Sequence, residues 1–349
     1  MSYDPTELAP LGRTGLRVTR LGFGTAEIGG LFRAVDEEDA QATLKRAWEL
    51  GIRYFDTAPL YGYGNAERRL GRLLAGQPRE AFVLSSKVGR LLYPADALPP
   101  GADVDRQAAG DQEDAFYQGT PPVRVVFDYS ADGVMRSVEE SLGRLGLNRI
   151  DILYIHDPDE HWQQAITGAY QALHRLREQG VVGAIGAGMN QAEMLVRFAR
   201  EGDFDVFLIA GRYTLLDQAA LPELLPLCVA KGIAVVIGGV MNSGLLVDPR
   251  PGSRFDYRPA PPEWLERAQR LKAVCERHDV PLRAAAVQFP LAHPAVASLV
   301  AGVRRLDHLE EYPQLMRHPI PASLWEELRA ERLLPADALL PAAGSEAVG

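Results

Sequence analysis

Cysteine is scarce in this chain: 349 residues contain only Cys228 and Cys275. Both fall in segments predicted as helices, which argues against a disulfide framework or a thiolate metal site. Basic charge is also in deficit, with 37 Lys and Arg against 46 Asp and Glu. The net charge of −9 and a pI near 5.4 argue against nucleic acid or an anionic membrane surface as a partner. No apolar run approaches the roughly 18 residues of a membrane span. The start, MSYDPTELAP, is polar and acidic and carries no apolar core of a secretion signal. A cytoplasmic protein acting on a small molecule is the expectation, with the oligomeric state left open. Apart from His156 the histidines are scattered (His161, His174, His278, His293, His308 and His318), with no HxH or HExxH, so no metal is expected.

What the chain does have is alternation. Short apolar runs at Arg20–Gly24, Ile52–Asp56, Ala81–Lys87, Ile150–His156, Val182–Ala187, Val206–Ala210, Ile233–Gly238 and Ala297–Gly302 read as eight strands. A helical pattern separates each from the next. In Asp36–Leu50 an Asp can cap, Ala40, Leu44, Ala47 and Trp48 recur at helical spacing, and Gly51 stops the helix. Ser130–Leu145 repeats that logic with Ser130 as cap, and Trp162–Gln179 does so with Gly180 as stop. Strands rich in Ile, Val, Leu and Ala, joined through helices, imply a parallel sheet buried on both faces. Eight such units fit a single (β/α)₈ TIM barrel domain, class α/β, spanning residues 1–349. The competing open doubly wound sheet would carry GxGxxG after an early strand, and LGFGTAEIGG does not supply it.

Three segments fall outside the repeat. Residues 8–20 read as an N-terminal β-hairpin turning at Arg13–Gly15, a plug for the N-terminal end of the barrel. Residues 89–129 and 241–262 are long loops at the C-terminal face, where barrel enzymes build their sites. Residues 335–349 are expected to be a flexible tail.

The same face gathers the chemistry. Asp56 ends the second strand, Tyr61 lies in the following loop (FDTAPLYGYGNAE), Lys87 ends the third strand (VLSSK), and His156 ends the fourth (DILYIHDP). Singly, each has a bland reading: a turn residue, a solvated lysine, a packed tyrosine, a satisfied histidine. Together they make an acid/base system. A phenol titrates near 10, an adjacent ammonium should lower that value, and a carboxylate would keep the lysine charged. The histidine can orient a carbonyl or hydroxyl. That set suits reversible carbonyl reduction with a hydride supplied by a cofactor.

By these motifs the chain resembles the aldo-keto reductases from about Leu11 to Tyr312. FDTAPLYGYGNAERRLG and SSKVG carry the likeness, and it implies that Asp56, Tyr61, Lys87 and His156 form a catalytic tetrad with Tyr61 moving the proton. AGRYTLLDQ, GGVMNSGLL and QFPLAHPAVASLVAG resemble a narrower branch, the 1-dehydrogenases of D-threo-aldoses such as L-fucose, shared with pyridoxal 4-dehydrogenases. The resemblance implies an NAD(P)-dependent oxidoreductase acting on CH–OH, oxidising a sugar C1 hemiacetal to a lactone. Pyridoxal oxidation and general aldehyde reduction are alternatives. A cofactor-binding regulatory protein, like the reductase-related β subunits of potassium channels, is the reading from another class.

The resemblance also implies cofactor contacts. Gly24 and Thr25 would border the nicotinamide ribose, Asn190 the carboxamide, and Ser243, Gly244 and Leu245 the pyrophosphate. Ala210 and Gly238 stand where a glutamine and a ring-stacking tyrosine are common. Gly302 replaces the lysine of NADP-preferring branches; Arg304 and Arg305 are possible anion contacts, His308 matches a 2′-phosphate position and Glu311 an adenine-side position. NAD is the expected cofactor, with NADP possible. Tyr63, Phe127, Tyr129 and Tyr257 are candidate substrate contacts.

Overall fold

The computed structural model describes residues 2–106, 108 and 116–341. A hairpin of β1 (Leu8–Pro10) and β2 (Arg17–Thr19) opens the chain. Barrel strands follow as β3 (Leu21–Gly24), β4 (Tyr54–Asp56) and β5 (Val83–Val88). A second hairpin, β6 (Arg90–Pro94) and β7 (Val123–Phe127), precedes β8 (Ile152–His156), β9 (Ala184–Met189), β10 (Val206–Ala210) and β11 (Ala234–Gly238). A small ribbon, β12 (Arg254–Phe255) and β13 (Arg258–Pro259), comes before the last barrel strand, β14 (Val296–Gly302). The eight strands other than the three hairpins are all parallel and close on themselves in the order β3-β4-β5-β8-β9-β10-β11-β14. All eight predicted strands are present, and the TIM barrel is the fold.

Period-two alternation splits each strand between two cores. Phe23, Phe55, Leu84, Leu153, Ile155, Phe207 and Ile237 face outward into the layer beneath the helices. Tyr54, Ile152, Tyr154, Val206, Leu208 and Val236 face inward, where Ala9, Leu11 and Val18 of the first hairpin join them. The hairpin therefore plugs the N-terminal end as expected. Its turn fits closely: a Cβ on Gly12 would lie 2.7 Å from the Gly232 carbonyl oxygen and 2.8 Å from that of Asp205.

The helices depart from expectation in details. Ser130 caps its helix, accepting a bond from the Gly133 N–H at 3.0 Å. Asp36 precedes the helix Glu37–Glu49 but makes no side-chain capping bond. The expected helix over Trp162–Gln179 is interrupted by a π turn at Ala165–Ala169 before it resumes at Tyr170–Glu178. Gly168 sits in that turn against Tyr129, whose carbonyl oxygen would lie 2.4 Å from a Cβ there. The first rim segment is ordered around β6 and β7, paired from Arg90↔Phe127 to Pro94↔Val123. Within it, residues 107 and 109–115 lie outside the described set. Of the expected tail, Ala338 is buried and its carbonyl accepts from Arg329 at 2.7 Å; residues 342–349 are not among those described. No helix among the described residues is long and apolar enough to cross a membrane.

Candidate active site

Strand register brings the four candidate groups together. Asp56 pairs with Ser85 across β4 and β5, and Lys87 stands two residues further along the same inner face. On β8, Tyr154 and His156 share that inward parity, and His156 pairs with Gly188. Lys87 donates to Asp56 Oδ2 at 2.6 Å and to the Thr57 carbonyl at 3.1 Å. Ser85 Oγ donates to the other carboxylate oxygen, Oδ1, at 2.7 Å. The Lys87 ammonium lies 4.6 Å from the centre of the Tyr61 ring. Tyr61 in turn meets His156 edge-on, with ring centroids 5.7 Å apart. Gly188 lies beside them: a Cβ there would meet Lys87 Cε at 3.5 Å, an ordinary contact.

The electrostatics correct one expectation. Tyr61 is held well above its ordinary pKa, first by burial and then by the charges of Asp56 and Asp157, with Arg90 opposing. The buried phenol is thus kept protonated rather than eased toward phenolate. Burial, with help from Arg90 and Lys87, holds the His156 imidazole well below its usual value, and so neutral. Its Nδ1 makes no hydrogen bond among the described residues. A protonated phenol beside an ammonium, with a neutral imidazole at its edge, can give a proton to a carbonyl oxygen and orient that oxygen.

These groups floor a cleft of about 1390 Å³. It runs from Lys87, Tyr61 and His156 past Gly238–Gly244 to Gly302, Arg304, His308 and Glu311. Its size exceeds the roughly 300–1,000 Å³ usual for a small-ligand site, leaving space for a dinucleotide and a substrate together. The wall offers bare backbone: a Cβ on Gly244 would meet nothing within 4 Å, and one on Gly302 only Glu27 Cγ at 3.5 Å. The helix Leu306–Arg317 starts at the far end, its N-terminus suited to phosphate. A nicotinamide dinucleotide fits these residues.

Of the expected cofactor contacts, Gly24, Asn190, Ser243, Gly244, Gly302, Arg304, His308 and Glu311 line this cleft. Thr25, Leu245 and Arg305 do not. Thr25 and Leu245 are fully buried, and Arg305 turns out to solvent on Asp307 at 2.6 Å. Arg304 is already engaged with Glu27 at 3.1 Å, and Glu311 with Arg283.

The expected substrate aromatics divide in the same way. Tyr257 lines the cleft and packs against Phe32 and Phe116. Tyr63 lies behind the wall, packed on Tyr117 with its hydroxyl donated to the Ala108 carbonyl. Phe127 stacks on Tyr129 and His161, away from the cleft. Tyr129 is buried, and its hydroxyl donates to the carbonyls of His156 at 2.6 Å and Asp157 at 3.0 Å. It braces the strand end that carries the imidazole.

Sequence reasoning missed several wall residues: Arg90, Asp157, Tyr117, Phe32 and Arg212. The dipeptide HDP placed Asp157 beside His156, and that adjacency was the available signal. Arg90 carried the weaker one of directly following SSKVG. Among the described residues no group of three or more His, Cys, Asp or Glu is arranged to hold a metal ion.

Comparison with known proteins decides the lineage. The family model described as "Aldo/keto reductase family" matches residues 20–331. The chain belongs to the aldo/keto reductase family. Its members use nicotinamide cofactors, so the protein is an NAD(P)-dependent oxidoreductase acting on CH–OH. A D-threo-aldose 1-dehydrogenase from a Pseudomonas species is 43% identical, over 92% of this chain and 96% of its own. A pyridoxal 4-dehydrogenase from Microbacterium luteolum is 44% identical, over 96% of this chain and 100% of its own. Among solved structures, the holo form of an aldo-keto reductase from Bacillus halodurans superposes with a TM-score of 0.73 over 98% of this reductase and 99% of that chain. At 23% identity that likeness speaks to the fold.

Proposed function

We propose that this reductase oxidises the C1 hydroxyl of a cyclic aldose of the D-threo, L-fucose type to the lactone, with NAD preferred over NADP. The observation that carries the reading is the buried contact chain Asp56–Lys87–Tyr61–His156 at the cleft floor. Bound nicotinamide would take the hydride from C1. Tyr61 is the group that takes the hydroxyl proton, and in the reverse direction gives it to the carbonyl oxygen. Lys87, fixed by Asp56 and 4.6 Å from the Tyr61 ring centre, would offset part of the burial that holds the phenol protonated when oxidation requires the phenolate. His156, neutral, holds the substrate oxygen in line. The 43% identity to a D-threo-aldose 1-dehydrogenase supports this substrate class.

NAD preference is supported by the arginines at the far end of the cleft. Arg304 is held by Glu27 and Arg305 by Asp307, so neither is free to take a 2′-phosphate without losing a carboxylate. A second reading, oxidation of the cyclic hemiacetal of pyridoxal, is favoured by the aromatic side chains Phe32, Phe116 and Tyr257 at the mouth. The test offers L-fucose, D-arabinose, L-galactose and pyridoxal with NAD or NADP and follows reduced nicotinamide by absorbance. Oxidation of L-fucose with NAD is expected. Turnover of pyridoxal alone would establish the second reading. Tight cofactor binding without turnover of any carbonyl or alcohol would favour a regulatory role.

A further inference from the structure

Beside the acid/base groups stands a charged pair that the proposed chemistry does not use. Arg90 follows Gly89, whose φ of +101° turns the chain off β5 and whose missing Cβ leaves space for the Tyr129 ring. The turn sends the guanidinium under the cleft wall, where Arg90 is only 8% exposed. Its contacts there are long: 3.6 Å from Nη1 to Asp157 Oδ2 and 3.5 Å from Nε to Asp105 Oδ2. Arg90 Nε makes no hydrogen bond among the described residues. Asp157 has a positive φ of 38°, unfavourable for a residue with a Cβ. Its backbone is held there by its N–H bond to the Gly188 carbonyl at 3.0 Å and by Tyr129. The same carboxylate oxygen lies 3.6 Å from His156 Nε2. Both Arg90 and Asp157 line the cleft with Tyr61 and His156.

A buried arginine whose ion pairs stop short of hydrogen-bonding distance is incompletely satisfied, and strain in the carboxylate's backbone is maintained by neighbours. Such a donor and acceptor, side by side next to the reacting position, match a hydroxyl group. Such a hydroxyl would donate its O–H to the carboxylate and accept from a guanidinium N–H. We propose that Arg90 and Asp157 form the substrate's hydroxyl-reading subsite, selecting compounds with a hydroxyl on the carbon next to the reacting C1. They are specificity-determining residues and take no part in hydride or proton transfer. This rests on the reading of Tyr61 and His156 as the reacting floor; it names which substrates that floor receives.

The test compares reduction of glyceraldehyde with reduction of propanal, which lacks the neighbouring hydroxyl, and reads the ratio of their kcat/KM values. Wild type is compared with Asp157→Asn and Arg90→Lys. A loss of folded protein cancels in the ratio, so poor folding of a variant does not obscure the result. The ratio should fall by about tenfold or more in both variants, mainly through KM for glyceraldehyde. An unchanged ratio, or equal losses on both aldehydes, would overturn the proposal and leave the pair as a brace for His156. Failure of the aldose reading shows separately, as absence of L-fucose oxidation by the unaltered protein, while the aldehyde ratio can still be read.

Discussion

At the scale of a single residue, the proposed role of Tyr61 as proton carrier predicts how rate depends on pH. Because burial and the carboxylates of Asp56 and Asp157 push its phenol above the ordinary value of about 10, the protonated form dominates through neutral and mildly alkaline pH. Carbonyl reduction consumes that protonated form, so its rate should stay level from pH 7 toward 10. Oxidation needs the proton acceptor, a minor species below the phenol's pKa, so oxidative kcat should climb with pH over the same range. A level reductive rate beside a rising oxidative one would support Tyr61 as the titrating group; an oxidative rate that falls between pH 7 and 9 would contradict it. Tyr61→Phe removes the proton altogether. Turnover should drop by about 10²–10⁴-fold, with cofactor affinity by fluorescence quenching nearly unchanged. Retained turnover would remove Tyr61 from its role. The convergence of Asp56, Tyr61, Lys87 and His156 was legible because each stands at or just after a strand's C-terminal end. The raised pKa was not, since it depends on burial and on Asp157, and no local pattern states how deeply a rim residue is buried.

At the scale of the element, glycines and aromatics within the strands explain how the barrel interior fills. A Cβ on Gly22 of β3 would lie 2.7 Å from Tyr54 Cδ1, and one on Gly186 of β9 would lie 2.8 Å from Tyr154 Cδ1 and 2.0 Å from the Val206 carbonyl. The two strands give up side chains so that Tyr54 and Tyr154 can meet, hydroxyl to hydroxyl at 3.1 Å. Ser85 links them to Asp56 through bonds of 3.2 and 2.7 Å. Gly186→Ala should therefore lower stability by about 1–3 kcal/mol and also lower kcat, because its strain reaches the carboxylate that holds Lys87. A thermal melt and single-turnover kinetics on one preparation would check both; full kcat in a destabilised variant would separate the tyrosine pair from the site. At the opposite end of the interior, Leu11→Ala in the buried plug should cost about 2–5 kcal/mol by thermal or urea unfolding. The eight strands and the plug were readable because their apolar runs are short and are separated by amphipathic segments at helical spacing. The hairpin of β6 and β7 reads as loop in the sequence, although Val123, Val125 and Phe127 alternate, because its two strands are far apart along the chain. The π turn left no periodic trace at all.

For the whole molecule, the question is how pairs from distant elements tune one cleft. Glu27 follows β3 and Arg304 follows β14, strands that are neighbours only because the barrel closes. Their contact at 3.1 Å, together with an Arg304 bond to the Leu31 carbonyl at 3.3 Å, ties the guanidinium down. Such pairing across the seam has no signature in a linear chain. The run AGVRRLDH read alone offers two arginines to an anion, whereas the folded protein offers Arg304 in the cleft, already partnered. On the proposed placement of the cofactor, a 2′-phosphate would compete with Glu27 for Arg304 and would face a carboxylate whose pKa burial has raised. On the proposed reading, NAD would avoid that cost. Ligand present at 100 times its Kd stabilises the native state by about 2.7 kcal/mol, so the preference is readable in a melt without any substrate. At equal concentrations NADH should raise Tm more than NADPH. Glu27→Gln, which keeps the side chain's shape but releases Arg304, should narrow that gap or reverse it. A wild type stabilised more by NADPH would refute the preference. A gap that Glu27→Gln leaves untouched would show that the seam pair does not set it.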